Sequence, residues 1–158
     1  MADGSKAVRE AARALQPGNF PRVVPIQTRY ADLDPQGHVN NARITMLFAE
    51  ARSQVASAIF ERVGRDNGHS LMAGQFAVSY LAQVYFPHLC EIGVGVIEIA
   101  HRTVRLGQGL FQNGRCCAVA EMVLVGTQGG RAAILGEELR SAWAELTMAS
   151  GMLPRQLL

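Results

Sequence analysis

The chain has 158 residues, of which 49% are hydrophobic and 18% are charged, so it is long enough for one domain with a sizeable core and is neither disordered nor a fibrous repeat. Its 15 Lys and Arg residues exceed its 13 Asp and Glu residues only slightly, giving a net charge of +2. This small excess is not the concentrated basic surface that nucleic-acid binding requires, so no nucleic-acid partner is expected.

The N-terminal residues carry no apolar stretch of signal-peptide length, and no window reaches the length of a membrane span. The three cysteines, Cys90, Cys116 and Cys117, are odd in number and two of them are adjacent, which is not typical of a disulfide framework. We therefore expect a cytoplasmic protein without a membrane partner, in which the cysteines are reduced and pack as small hydrophobic side chains.

The first elements are predicted in chain order. Residues 1–19 form an N-terminal extension with a short helix over residues 5–15. A strand follows over residues 22–30, and Pro25 indicates a sheet edge or the start of a strand, because proline has no N–H to donate. Apolar residues then recur at helical spacing over residues 41–63, which predicts the longest helix of the chain.

This helix has a start and a stop signal: Asn40 or Asn41 is a natural N-cap, and Gly64 is a natural end. The second half of the chain changes to the alternating pattern of strands and ends in a helix. The predicted strands cover residues 76–86, 91–102, 107–112 and 115–126, and the helix covers residues 137–148.

Asn113-Gly114 predicts a tight hairpin, and the strand from Cys116 to Val125 is apolar on both faces, which predicts that both faces are covered. Gly93 and Gly95 are interpreted as sites of strand bending or close backbone approach. The order of elements predicts an α+β fold in which one long helix packs against a bent antiparallel sheet.

The polar loop before the long helix contains Asp32, Asp34, His38 and two asparagines. A calcium loop is disfavoured, because Arg43 stands where such a loop needs a bidentate glutamate. A structural interpretation, with turns and helix caps, would be the default for these residue types. A catalytic interpretation also fits, since a carboxylate beside the free amides of a helix N-terminus can attack or activate water against a polarised acyl carbonyl.

The decisive signal is the motif Arg29-Tyr30-x-Asp32-x-Asp34-x-x-Gly37-His38-Val39-Asn40-Asn41, followed by Phe48-x-Glu50-x-Arg52. This motif resembles the opening segment of hotdog-fold acyl-CoA thioesterases of the 4-hydroxybenzoyl-CoA thioesterase-like group. The resemblance covers about residues 20–146. It implies a hotdog domain over residues 20–149, followed by a C-terminal tail over residues 150–158.

The resemblance also implies site residues. It makes Asp34 the catalytic carboxylate, acting as nucleophile or as general base, and it assigns the polarisation of the thioester to the backbone amides of Gly37, His38 and Val39. We further expect substrate contacts from Asn40, Asn41 and Glu50. A salt bridge to Arg43 or Arg52 is the competing interpretation of Glu50.

The implied substrate is an acyl-CoA, or an acyl group on acyl carrier protein, and no metal or redox cofactor is implied. The resemblance implies at least a homodimer with sheets joined edge to edge and active sites at the interface, and the strand that is apolar on both faces would suit a homotetramer. Aliphatic Ile44 and Leu47 stand where many relatives have tyrosines, which suggests a changed acyl pocket. Two alternatives remain: a hotdog protein that binds acyl-CoA without turnover, and a dehydratase that uses His38 with Asp34.

Overall fold

The computed structural model describes residues 2–64 and 69–153, so residues 154–158 of the predicted tail lie outside the described part. Its helices are α1 (Ala2–Arg13), α2 (Asn41–Val63) and α3 (Glu137–Ala144), and its strands are β1 (Arg22–Gln27), β2 (His69–Tyr80), β3 (Leu89–Ile99), β4 (Thr103–Gln112), β5 (Arg115–Gln128) and β6 (Arg131–Ala132). The strands form an antiparallel sheet in the order β1-β3-β4-β5-β2, and β6 pairs with β5. The sheet wraps around α2, which confirms the predicted α+β class.

Helix α2 has the predicted bounds because its local signals agree with its packing. The Asn40 side chain accepts a hydrogen bond from the Ala42 amide at 2.8 Å, and Gly64 ends the helix with a φ of 79°. One face is buried against the sheet through Ile44, Leu47, Phe48, Ala51, Val55 and Ile59. Within the described ranges, no helix is long and apolar enough to cross a membrane.

The outer face of the sheet carries a second core. It is formed by the end of α1, the segment before β1, the sheet itself and the residues after α3, namely Ala12, Leu15, Phe20, Leu81, Phe111, Cys116, Val119 and Met148. This core covers the outer face of β5 at Cys116 and Val119, whereas Val123 and Val125 are only partly buried, so the prediction that both faces of β5 are covered is confirmed for the first half of the strand. Because the chain itself covers that half, the apolar outer side chains there give no support to a tetramer.

Glycines on the outer face are explained by close packing of the terminal segments. A Cβ on Gly93 would overlap the ring of Phe20, and a Cβ on Gly95 would overlap the side chain of Met148. Gly107 and Gly109 on β4 meet neighbouring side chains in the same way. Close approach, rather than strand bending, is thus the reason for Gly93 and Gly95.

Strand β2 begins and ends earlier than the predicted range 76–86. It ends at Tyr80 because the amides of Leu81 and Ala82 both donate to the Cys117 carbonyl, at 2.8 and 3.0 Å, which terminates the regular ladder. The following residues turn towards the loop before α2. The first residues of β2 show no apolar alternation in the sequence, which therefore predicts a strand that begins only at residue 76. The reason is that the middle of β2 is exposed and contains a bulge between Ala73 and Gln75.

The bounds of the other strands and helices differ less from the predicted ones. Strand β1 ends at Gln27 instead of Tyr30, because residues 30–32 form a 3₁₀ turn. The predicted C-terminal helix ends at Ala144, since Val96 of β3 bonds to the backbone of Leu146 and Met148 at 2.7 and 2.8 Å and draws that segment onto the sheet. The predicted hairpin at Asn113-Gly114 is confirmed, with φ angles of 53° and 73°.

The three thiols are buried and unbridged, as predicted. Burial raises the pKa of Cys90 and of Cys116 to about 12, and it also raises that of Cys117. We therefore expect no reaction of the native protein with an aromatic disulfide reagent at pH 8, and three thiols per chain after unfolding in denaturant. Rapid labelling of the native protein would contradict the packing described here.

Candidate active site

The carboxylate of Asp34 is held over a tight turn between the 3₁₀ turn and α2. Its Oδ1 accepts hydrogen bonds from the amides of Gln36 and His38, at 2.9 and 3.2 Å. The backbone closes the same turn, because the Asp34 amide donates to the His38 carbonyl at 2.8 Å and Gly37 adopts a φ of 81°. Within residues 2–64 and 69–153, Asp34 Oδ2 has no hydrogen-bond donor, so this oxygen is available for chemistry.

The amides predicted to polarise a carbonyl all have acceptors within the protein. The Gly37 amide donates to the Asp34 carbonyl at 3.0 Å, the His38 amide donates to Asp34 Oδ1, and the Val39 amide donates to the Val84 carbonyl at 2.8 Å. These bonds order the loop around the carboxylate. The polarising role of the three amides stays a prediction.

The first amide of α2 differs from its neighbours. The Asn40 amide donates to the Asp32 carbonyl at 2.9 Å, and the Ala42 amide donates to the Asn40 side chain. The Asn41 amide has no acceptor among the described residues, and it carries part of the positive end of the helix dipole. The sequence predicts a substrate contact for Asn41 but does not single out its backbone N–H; the available signal is the position of Asn41 immediately after an asparagine cap.

Asp34 and Asn41 both line one cleft of about 620 Å³, which we call the Asp34 cleft. The cleft lies between the loop, the first turn of α2 and the segment that follows β2, and it is lined by Asp34, Gln36, His38, Val39, Asn40, Asn41, Ile44, Tyr80, Ala82, Gln83 and Val84. The two aliphatic positions noted in the sequence, Ile44 and Leu47, are both buried in the inner core, and of the two only Ile44 also lines this cleft. Of these two positions, Ile44 is therefore the one whose change from tyrosine affects the wall of the cleft.

Tyr80 is a site residue that the sequence did not reveal. Its hydroxyl donates to the Asn41 carbonyl at 3.3 Å and lies 3.5 Å from Thr45 Oγ1. This contact fixes the end of β2 against the first turn of α2. The His38 ring packs edge-on against the Tyr85 ring at 5.3 Å between centroids, and the bond from His38 to Asp34 comes from its backbone amide.

Asp32 is the buried anchor of the loop. It accepts hydrogen bonds from the Arg29 backbone and guanidinium, at 2.8 and 3.1 Å, and lies 4.0 Å from the Arg43 guanidinium. Burial alone would raise the pKa of this carboxyl, but the bonds from Arg29 and the charges of Arg29 and Arg43 hold it below its ordinary value of 3.8. The spacing of Arg29 and Asp32 was the available sequence signal.

Because the folded-state pKa of Asp32 lies below its unfolded value, its ionised form stabilises the protein above about pH 4, and this contribution is lost as the pH falls through the folded-state pKa. We expect Asp32→Asn to lower the free energy of unfolding at pH 7 by about 1–3 kcal/mol. Urea unfolding at pH 7 and pH 3 should show a smaller acid-induced loss for the variant than for wild type. Equal losses would contradict the anchoring role.

Glu50 lies away from the cleft, on the exposed side of α2, where it accepts a bond from Gln54 at 3.5 Å. The competing prediction, a salt bridge from Glu50 to Arg43 or Arg52, is wrong. Arg43 is the second partner of Asp32, and Arg52 donates to Gln108 at 3.2 Å. In the part of the chain that the structure describes, all predicted site residues except Glu50 therefore lie close together.

Residues 28–143 match the family model of the thioesterase-like superfamily, and the chain therefore belongs to this family. Its fold is the hotdog fold predicted from the sequence. A comparison with curated proteins gives no match. Within residues 2–64 and 69–153, no group of three or more histidine, cysteine, aspartate or glutamate side chains is placed to hold a metal ion.

Solved structures similar to this chain include thioesterases. A thioesterase from Thermus thermophilus, complexed with coenzyme A and Zn, is 32% identical, with a TM-score of 0.68 over 78% of this chain and 97% of that one. The PA5185 protein of Pseudomonas aeruginosa is 27% identical, with a TM-score of 0.74 over 85% and 97%. A 1,4-dihydroxy-2-naphthoyl-CoA thioesterase from Synechocystis, 15% identical over 80% and 96% with a TM-score of 0.69, shares the fold.

Proposed function

We propose that the protein hydrolyses an acyl-CoA thioester to a free acid and CoA. The observation that carries this proposal is the shared cleft, which is lined by Asp34, whose carboxylate is ordered, and by Asn41, whose amide has no acceptor among the residues that the structure describes. A thioester carbonyl whose oxygen accepts from the Asn41 amide presents its carbon to Asp34 Oδ2. The positive end of the α2 dipole stabilises the oxyanion that forms.

Two routes use this arrangement. As a nucleophile, Asp34 forms a bond to the acyl carbon, the C–S bond breaks, CoA leaves as the thiolate, and water hydrolyses the resulting anhydride. As a general base, Asp34 takes a proton from a water molecule that attacks the same carbon, and the tetrahedral intermediate expels the CoA thiolate. In both routes the amides of Gly37 and His38 hold the turn that aims the carboxylate, and the Val39 amide ties this loop to Val84.

Coenzyme A is the favoured acyl carrier, because a relative of 32% identity was solved with coenzyme A. Acyl carrier protein is the alternative carrier, and binding without turnover is the alternative function. We place the enzyme in a reducing cytoplasm, since its cysteines are free and buried.

The proposed assembly is a homodimer formed through β2. The outer edge of β2 pairs with no described strand and contains no proline, and it exposes Met72. The other edge of the sheet, β1, is half as long and is interrupted by Pro25. Of the two edges, β2 therefore offers the longer run of unpaired backbone groups for pairing with another chain.

The test is a panel of acyl-CoA thioesters of varied chain length and ring content, with release of free thiol as the readout. Hydrolysis of at least one member, with saturation at micromolar to millimolar substrate, supports the proposal. The buried cysteines of the enzyme keep the background of a thiol reagent low. Tight binding without thiol release would favour the non-catalytic alternative.

A further inference from the structure

Arg52 on α2 is a half-buried cation that forms no ion pair with any described residue. Its Nη1 donates to Gln108 Oε1 at 3.2 Å, and its guanidinium carbon lies 5.8 Å from the centroid of the Phe76 ring. Gln108 is fully buried and neutral, and its amide nitrogen donates to the Phe48 carbonyl at 2.9 Å. Across residues 2–64 and 69–153, no carboxylate lies within 4.0 Å of Arg52. Most of its N–H groups are therefore available to a ligand.

The guanidinium borders a cleft of about 290 Å³, which we call the Arg52 cleft. One part of its lining is polar and the other is apolar; the lining residues are Arg52, Ser53, Ala56, Ser57, Phe60, Ser70, Leu71, Ala73 and Leu124. A planar guanidinium pairs most favourably with a carboxylate, to which it donates two parallel hydrogen bonds. Three serines and an apolar wall beside it suit a carboxylate attached to a hydrocarbon chain.

Pairing of β2 with β2 of a second copy places the Arg52 cleft of one copy beside the Asp34 cleft of the other. Around a two-fold axis, identical antiparallel strands place the His69 end of one strand beside the Tyr80 end of the other. Tyr80 lines the Asp34 cleft, whereas Ser70 and Leu71 line the Arg52 cleft. Leu71 and Tyr80 both pack against the inner core, so the two clefts open on the same side of the sheet.

Within one protomer the two sites are separated along α2. Arg52 follows Asn41 by about three helical turns, or roughly 16 Å. We propose that Arg52 of one protomer binds a carboxylate at the far end of the acyl group whose thioester is cleaved at Asp34 of the other protomer. This inference rests on the proposed thioesterase function, and it names the substrate class as acyl-CoA thioesters that carry a second, terminal carboxylate.

The first test compares adipoyl-CoA with hexanoyl-CoA, which have the same number of acyl carbons and differ in the terminal carboxylate. We expect wild type to prefer adipoyl-CoA, and we expect Arg52→Met to lower kcat/KM for adipoyl-CoA by about 10- to 100-fold, with hexanoyl-CoA changed by less than about twofold. Arg62→Met is the matched control, because Arg62 lies on the same helix and pairs with Glu145 at 2.8 Å, outside the Arg52 cleft.

The phosphates of the CoA carrier are the competing source of negative charge. If Arg52 binds them, Arg52→Met lowers kcat/KM equally for both CoA substrates and leaves the corresponding pantetheine thioesters unaffected, and the proposal is overturned. Arg52→Lys serves where the Met variant fails to fold, since it keeps the charge but loses the planar pair of donors.

A complementation experiment decides which protomer supplies Arg52. Asp34→Asn and Arg52→Met proteins are unfolded, mixed in equal amounts and refolded together. If the site is shared between protomers, half of the dimers are mixed, each with one intact site, and about a quarter of the wild-type adipoyl-CoA activity returns. No gain over the separately refolded parents, or a monomer in solution, overturns the proposal. Near-native activity of Asp34→Asn alone would instead exclude Asp34 as the catalytic carboxylate, and absence of thiol release by wild type across the acyl-CoA panel would refute the proposed function.

Discussion

Asp34→Asn is expected to lower kcat by about 10²- to 10⁴-fold in the acyl-CoA assay, the range associated with loss of a positioned acid or base. An asparagine keeps an oxygen at the Oδ1 position, so the bonds from the Gln36 and His38 amides persist and the turn stays formed. What is lost is the negative charge, without which the side chain neither attacks a carbonyl nor accepts a proton at neutral pH.

The melting temperature and the affinity for a product acid with CoA should change little in this variant. Glu61→Gln is a matched control, since Glu61 is an exposed carboxylate near the far end of the same helix. It should retain kcat within about twofold, as surface substitutions rarely perturb a structure. Near-native kcat in Asp34→Asn would exclude Asp34 as the catalytic carboxylate. An equal loss in Glu61→Gln would point to a non-specific effect.

Gly93→Ala is expected to lower the free energy of unfolding by about 1–3 kcal/mol, although alanine is usually tolerated in strands. The reason is the ring of Phe20, which lies where the new Cβ would stand. Phe20 is 5% exposed and also packs edge-on against Phe111, so it has little room to move. Urea unfolding monitored by circular dichroism measures the effect.

The control is Gly18→Ala, because a Cβ at Gly18 meets nothing within 4 Å. A double-mutant cycle with Phe20→Ala tests the cause: Phe20→Ala alone should cost about 3–5 kcal/mol, and Gly93→Ala should cost less in that background than in wild type. Wild-type stability of Gly93→Ala would show that the N-terminal segment does not pack on the outer face of β3.

Much of the fold was predictable because its signals are local. The range of α2 follows from apolar residues at helical spacing, an asparagine cap and a terminal glycine, all within one segment. The hairpin at Asn113-Gly114 and the edge position of β1 likewise depend on a single dipeptide and on Pro25. The loop motif placed Asp34 beside the start of α2 for the same reason.

Other features were not predictable, since they depend on residues that are distant in sequence. The alternation of residues 82–86 is typical of a strand, yet this segment leaves the sheet because Val84 bonds to Val39 of the catalytic loop. The roles of Gly93 and Gly95 depend on side chains from the two terminal segments. The expected salt bridge of Glu50 does not form, because Arg52 reaches Gln108 on β4 instead.

The sequence by itself therefore determined a long capped helix, the strands that accompany it and a carboxylate beside the start of that helix, because each of these depends on contacts within a few residues. Among the described residues, the tertiary structure decided which backbone amide of the site has no acceptor, how the buried Asp32 is held ionised, and why Arg52 pairs with a neutral glutamine and not with a carboxylate. Each of these depends on where the folded chain places hydrogen-bond acceptors and opposite charges, and that placement is set only when distant segments pack together.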